Sequence, residues 1–224
     1  MLLMTVPEME ERVMAAAGHQ HGNAHGHERF RGVTGLVVGA TMLVGRGSLS
    51  RLVADLAEVG PGDRVLDVGC GPGGAAREAA RRGAAVTGVD PAPVMLRLGR
   101  YLSRGQSGRR IEFVPGTAEA LPVADRAVTV AWAISSAHHW SDVPAGLREL
   151  YRVLEPGGRL IIAERLARPG ARGLGAHGLT EAQAADTVAA ARAAGFAGAG
   201  HDTHRAGRRT LAVVRAHRAA DGPG

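Results

Sequence analysis

The chain has 224 residues, 45% hydrophobic and 3% aromatic, which suits one folded domain with a core of Val, Leu, Ile and Ala and excludes a disordered chain. Its formal charge of +6 comes from 27 Arg against 21 acids, with no Lys; the excess is spread along the chain without a run, so a solvated surface is expected and nucleic acid is not. The lone Cys70 excludes an intrachain disulfide. Acids in the opening MLLMTVPEMEERVM stand where a secretory leader needs bases, and the apolar run at 35–45 is too short to span a bilayer, so a cytoplasmic protein without a membrane span is expected.

In chain order, residues 1–47 read as an N-terminal extension, 48–218 as one α/β domain and 219–224 as a tail. The extension holds a short helical stretch at 6–17, the histidine-rich HQHGNAHGHERFRG and a glycine-broken apolar run. Ser48 can cap a helix with Leu49, Leu52, Val53, Leu56 and Val59 on one face, ended by GPGD. Strands are predicted at 64–68, 85–89, 111–114, 127–134 and 159–163, and helices at 74–82, 93–104 and 143–154. Continuous apolar runs in the strands point to a parallel sheet buried on both faces. Ser141-Asp142 caps the third of those helices and EPGG stops it. Thr180 with Gln183 forms a capping-box pattern that opens a helix through 194, and two further strands fit near 200–205 and 209–217. The pattern predicts a Rossmann-like doubly wound α/β domain of seven strands, mostly parallel, with one antiparallel strand near the C-terminus.

The informative stretch is RVLDVGCGPGG, residues 64–74, where an acid inside the first strand leads into a turn with glycines at 69, 71, 73 and 74. In a doubly wound sheet this turn lies at the ligand-binding end, and its glycines let a ligand rest on the main chain without meeting a Cβ. Gly69, Gly71 and Gly74 satisfy the dinucleotide pattern G-x-G-x-x-G. However, Asp67 would repel a pyrophosphate, and Pro72 removes an amide that a phosphate would use. Asp90, closing VTGVD, is placed to accept from both hydroxyls of a ribose. A ribose, a positive charge and no phosphate describe S-adenosylmethionine.

The series VLDVGCGPG, VTGVDPAPVML, VPGTAEALPV, AVTVAWAISSAHHW and LRELYRVLEPGGRLIIAE, over roughly 50–217, resembles the class I S-adenosylmethionine-dependent methyltransferases. The likeness is greatest to the small-molecule branch akin to quinone-ring C-methyltransferases. The resemblance implies methyl transfer from S-adenosyl-L-methionine to a small, largely apolar molecule. By position it implies that Asp67, Gly69, Cys70, Gly71 and Gly73 hold the methionine part and Asp90 the ribose. Pro91 and Met95 would border the adenine, with Thr117, Ala118 and Glu119 on the adenine-side loop, and Ala133 would offer a carbonyl to the ammonium. Thr117 stands where the family has Asp, and Thr129 where an acid precedes the fourth strand.

Methyl transfer from a sulfonium needs an acceptor held in line and a dry site, and no metal. A base is needed where the acceptor loses a proton, and His138, after the fourth strand, is the candidate; its bland alternative is a loop histidine packed by Trp140. His19, His21, His25 and His27 have chelating spacing but lack a fuller ligand set, so incidental metal affinity is the expectation. Cys70 reads as a small packed residue, without a base to activate it. The acceptor site is expected from 25–46, 134–140 and 164–179. Rival readings are a cofactor-binding module without catalysis and a nicotinamide-dependent oxidoreductase.

Overall fold

The computed structural model describes residues 47–104, 111–171 and 177–221. The expected helix at 6–17, the four N-terminal histidines and the cover expected from 25–46 lie outside the described residues. In chain order the elements are α1 (Gly47–Leu56), β1 (Arg64–Val68), α2 (Gly74–Arg81), β2 (Ala85–Asp90), α3 (Pro93–Ser103) and β3 (Ile111–Pro115). There follow β4 (Val128–Ile134), a 3-10 turn (Ala137–His139), α4 (Val143–Val153), β5 (Leu154–Arg165), α5 (Glu181–Ala193), β6 (Ala197–Ala206) and β7 (Arg209–His217).

The strands form a single seven-stranded sheet in the order β3-β2-β1-β4-β5-β7-β6. Strands β1 to β5 pair in parallel, and β7 runs antiparallel to both of its neighbours, so it is the one reversed strand. Side chains alternate across the sheet as a strand's period of two requires. On β1, Val65 joins a core with α1 and α2, while Leu66 and Val68 join the core under α4 and α5. Trp132 on β4 is fully buried in the first of these layers.

Helix starts follow local chemistry. Asp142 caps α4, its side chain accepting from the Ala145 amide at 2.8 Å. Thr180 and Gln183 complete the capping box of α5 in both directions, through Thr180 N to Gln183 Oε1 at 2.9 Å and Gln183 N to Thr180 Oγ1 at 3.2 Å. One boundary moves. The EPGG segment, expected as a turn, is the irregular start of β5, because Gly157 N donates to Arg218 O and Arg218 N donates to Gly158 O, both at 2.9 Å. A paired backbone makes strand of a sequence that favours a turn.

The strand order turns back between β1 and β4, so the turns after these strands part and leave a crevice at their carboxyl ends. The glycine turn and the 135–142 segment meet there. No helix among the described residues is long and apolar enough to cross a membrane.

Candidate active site at the glycine turn

The glycines of the turn have separate reasons. Gly69, Gly71 and Gly73 all have positive φ, at 70°, 52° and 74°. A Cβ on Gly69 would come 2.4 Å from Ser136 Cβ, and one on Gly73 would come 2.5 Å from the Phe113 ring. Those two let the turn pack against the protein. At Gly71 a Cβ would meet no protein atom within 4 Å; this glycine faces open space.

The amides of the turn are consumed internally. Gly69 N and Cys70 N both donate to Val89 O, at 2.8 and 3.0 Å, and Gly73 N donates to Cys70 O at 2.9 Å. Gly71 N donates to Asp90 Oδ2 at 2.9 Å, and Pro72 has no N–H. From Gly69 to Gly73, then, no main-chain donor is left for a phosphate, which is what a pyrophosphate site most needs.

Asp67 stands behind the turn, 2% exposed, paired in register with Trp132 across β1 and β4. Its Oδ2 and the Trp132 Nε1 are both buried without a hydrogen-bond partner. Burial pushes the Asp67 carboxyl up to about 7; the nearby Trp132 indole, short of full hydrogen-bond geometry, and the Ala76 amide at the start of α2 pull the other way. A carboxyl at the amino end of α2 takes the place where a phosphate would bind, and its orphaned oxygen suits a cation. Asp67, Gly69, Cys70, Pro72, Ile134 and α1 residues including Ser50 line a cleft of about 240 Å³.

At the end of β2, Asp90 accepts from Ala92 N through Oδ1 as well as from Gly71 N, each at 2.9 Å. Burial raises its pKa, partly offset by these two bonds. Each carboxylate oxygen keeps a lone pair for a hydroxyl. Met95 and Ala118 are buried, and Pro91 and Thr117 are exposed nearby in the chain. Glu119, expected on the adenine-side loop, is directed to the start of α4, where Oε1 accepts from Ser141 N at 2.8 Å and Ser141 Oγ at 3.0 Å. Burial opposes its ionisation, but these bonds hold it below the usual carboxylate range. Ala133 is sealed within β4 between Val68 and Ile162; the residue of β4 that reaches the cleft is the next one, Ile134. Cys70 is buried, and burial raises its thiol pKa, which suits packing and not nucleophilic attack.

Thr129 lies at the opposite end of β4. Its hydroxyl donates to Asp63 Oδ1 at 2.7 Å and accepts from Arg64 N at 3.0 Å. This replaced acid therefore joins β1 to β4 at their amino ends, away from the glycine turn.

A second cleft, about 640 Å³, is lined by the 137–140 segment, Val143, Pro144, His177, Leu179 and α5 residues including Gln183, Asp186 and Thr187. His138 lies there with Nδ1 2.9 Å from Oε2 of Glu164, a fully buried acid at the end of β5 that also accepts from Ala137 N at 2.7 Å. Glu164 went unnoticed in the sequence, although an acid closing the apolar run RLIIAE repeats the pattern by which VTGVD marked Asp90. His177, inside AHGL, carries no such signal; only the fold brings it beside His138 and His139, with ring centroids 5.4 and 5.8 Å away.

The sheet order and the glycine turn are those of a Rossmann-like α/β domain with a ligand-binding crevice at the carboxyl ends of its strands. Residues 66–162 match the family described as methyltransferase domain. The chain is 41% identical over 113 residues to methyltransferase GfsG of Streptomyces halstedii, half of this chain and 41% of that one. It is 36% identical over 104 residues to a demethylmenaquinone methyltransferase of Corynebacterium kroppenstedtii, 46% of this chain and 42% of that one. The chain thus spans less than half the length of these curated relatives. Among solved structures, it is similar to a SAM-dependent methyltransferase from Aquifex aeolicus, with a TM-score of 0.68 at 18% identity, covering 80% of this chain and 96% of that one.

Proposed function

We propose that this protein transfers a methyl group from S-adenosylmethionine to a small, largely apolar acceptor. The observation that carries the reading is Asp67, a buried carboxyl with an orphaned oxygen behind a turn whose amides are already used. That pairing favours a cationic ligand over a phosphate. Methyltransferase names among the relatives point the same way.

In this reading Asp67, the turn from Gly69 to Gly73 and the Ala133 carbonyl hold the methionine end, with Ile134 lining the cleft. Asp90 takes the ribose, and Pro91, Met95, Thr117 and Ala118 border the adenine. When bound, the cofactor supplies an electrophilic methyl on a sulfonium that departs as a neutral thioether. The chain's own residues position the acceptor and exclude water. Trp140, Val143, Pro144 and Leu179 give the larger cleft its apolar walls. The Glu164 carboxylate accepts from His138 Nδ1–H, which fixes the tautomer and leaves Nε2 as the basic nitrogen. His138 then takes a proton from an acceptor hydroxyl or activated carbon. The reaction is placed in the cytoplasm, with a small molecule as partner and no nucleic acid.

Calorimetric titration with S-adenosylmethionine and with NAD tests the cofactor, and a labelled-methyl screen over mixed metabolites tests transfer. Binding of S-adenosylmethionine alone, with label transferred, is expected. Binding of NAD in its place would overturn the reading. Unchanged turnover in His138→Ala, with cofactor binding intact, would remove the base but leave the transfer.

A further inference from the structure

The larger cleft holds a cluster that methyl transfer does not require. His138, His139 and His177 each offer a ring nitrogen, and these three atoms lie within 4.8 Å of one another. The His138 and His139 rings are 3.9 Å apart between centroids. We propose that these three histidines bind one divalent transition-metal ion of borderline softness, with zinc the expected occupant. This departs from the expectation of a metal-free site.

Several independent features of the cluster agree. Imidazole is the ligand that such ions prefer, and three imidazoles with an open fourth position are a recognised zinc arrangement. His138 has one nitrogen committed, since Nδ1 meets Glu164; its other, Nε2, is buried without a hydrogen-bond partner. A carboxylate on the far nitrogen of a ligating histidine orients the ring and raises its basicity. Glu164 is held for this by the Ala137 amide, so it is fixed before any ion arrives.

Nitrogens around a tetrahedral zinc stand roughly 3.3 Å apart, given metal–nitrogen distances of about 2.0–2.1 Å. The cluster therefore needs to close slightly. His139 and His177 are exposed and free to turn, whereas His138 is the partly buried, fixed member. The ion would keep a position open to the cleft, where Asp186 and Gln183 also face. That position suits an oxygen of the acceptor, a phenol or enol. Nε2 cannot ligate an ion and accept a proton at once, so in the loaded protein the ion would lower the acceptor's pKa and the proton would pass to water in the cleft. The proposal goes beyond methyl transfer and is decided by metal binding alone.

The test uses the full chain with His19, His21, His25 and His27 replaced by Ala, which removes the other histidine-rich segment. After chelator treatment, cobalt(II) is titrated while the visible d–d band is followed, and zinc is titrated by calorimetry. One ion per chain is expected at micromolar protein. His139→Ala and His177→Ala, both at exposed positions, should each weaken binding by about tenfold or more without changing the circular dichroism. Absence of stoichiometric binding in the background protein, or affinity unchanged from the background in both single variants, would overturn the site.

Discussion

Asp90 Oδ2 accepts the Gly71 amide at 2.9 Å, so the carboxylate that ends β2 also holds the glycine turn that follows β1. In the proposed reading, one side chain thus shapes the bed for the methionine end of the cofactor and faces its ribose. Replacing it should disturb both. Asp90→Ala is expected to weaken S-adenosylmethionine binding roughly 10- to 100-fold, the loss of about one charge-assisted hydrogen bond at about 1.5–3 kcal/mol. Calorimetry on the folded variant checks this.

The glycine turn predicts a separation of stability from binding. Gly69→Ala sets a methyl group against Ser136 at a left-handed φ, so it should cost about 2–5 kcal/mol of folding stability from overpacking and strain together. Gly71→Ala meets no protein atom and should cost only about 1–2 kcal/mol from its backbone conformation, while cofactor affinity falls. Urea unfolding and cofactor titration of both variants would show the contrast. Equal stability losses would contradict it.

Asp67 gives the pH prediction. The folded protein holds its proton up to about pH 7, whereas the unfolded chain releases it near its ordinary value of 3.8. Between these values the unfolded chain binds fewer protons, so this group's contribution to stability declines as pH rises and the penalty is complete above about 7. Its size is at most roughly 4 kcal/mol. Asp67→Asn should therefore gain on the wild type as pH rises from about 4 to 7, measured by urea unfolding without cofactor. S-adenosylmethionine affinity of the wild type should climb over the same window as the carboxylate forms, and that pH dependence should be absent in Asp67→Asn.

Thr129 supplies the opposite case. Thr129→Val removes the bonds to Asp63 and Arg64 at the far end of the sheet. A stability loss of about 1–3 kcal/mol is expected, with cofactor affinity unchanged. A fall in affinity comparable to that of Asp90→Ala would show that the two ends of β4 communicate.

Much of the fold was legible because its signals are local. Apolar runs marked the strands within one or two residues in the sheet's first half, and Thr180 with Gln183 announced α5 three residues apart. The EPGG segment misled because its local preference for a turn was overruled by pairing with Arg218, some sixty positions later. Thr129, read as standing where an acid precedes the fourth strand, lies at the amino end of β4, where its partners Asp63 and Arg64 are some sixty-five positions earlier.

By itself the sequence determined the alternation of strands and helices, the glycine turn with its two aspartates, and hence the kind of cofactor the turn can take. These follow from spacing, charge and backbone freedom within short stretches of chain. The tertiary structure alone decided which glycines serve packing and which face open space, and that the Ile134 side chain lines the cleft. It also joined Glu164 to His138 across 26 positions and brought His177 to the same cluster. Contacts of that range depend on how β4, β5 and the segment before α5 converge, and convergence leaves no periodic trace in the residues that take part.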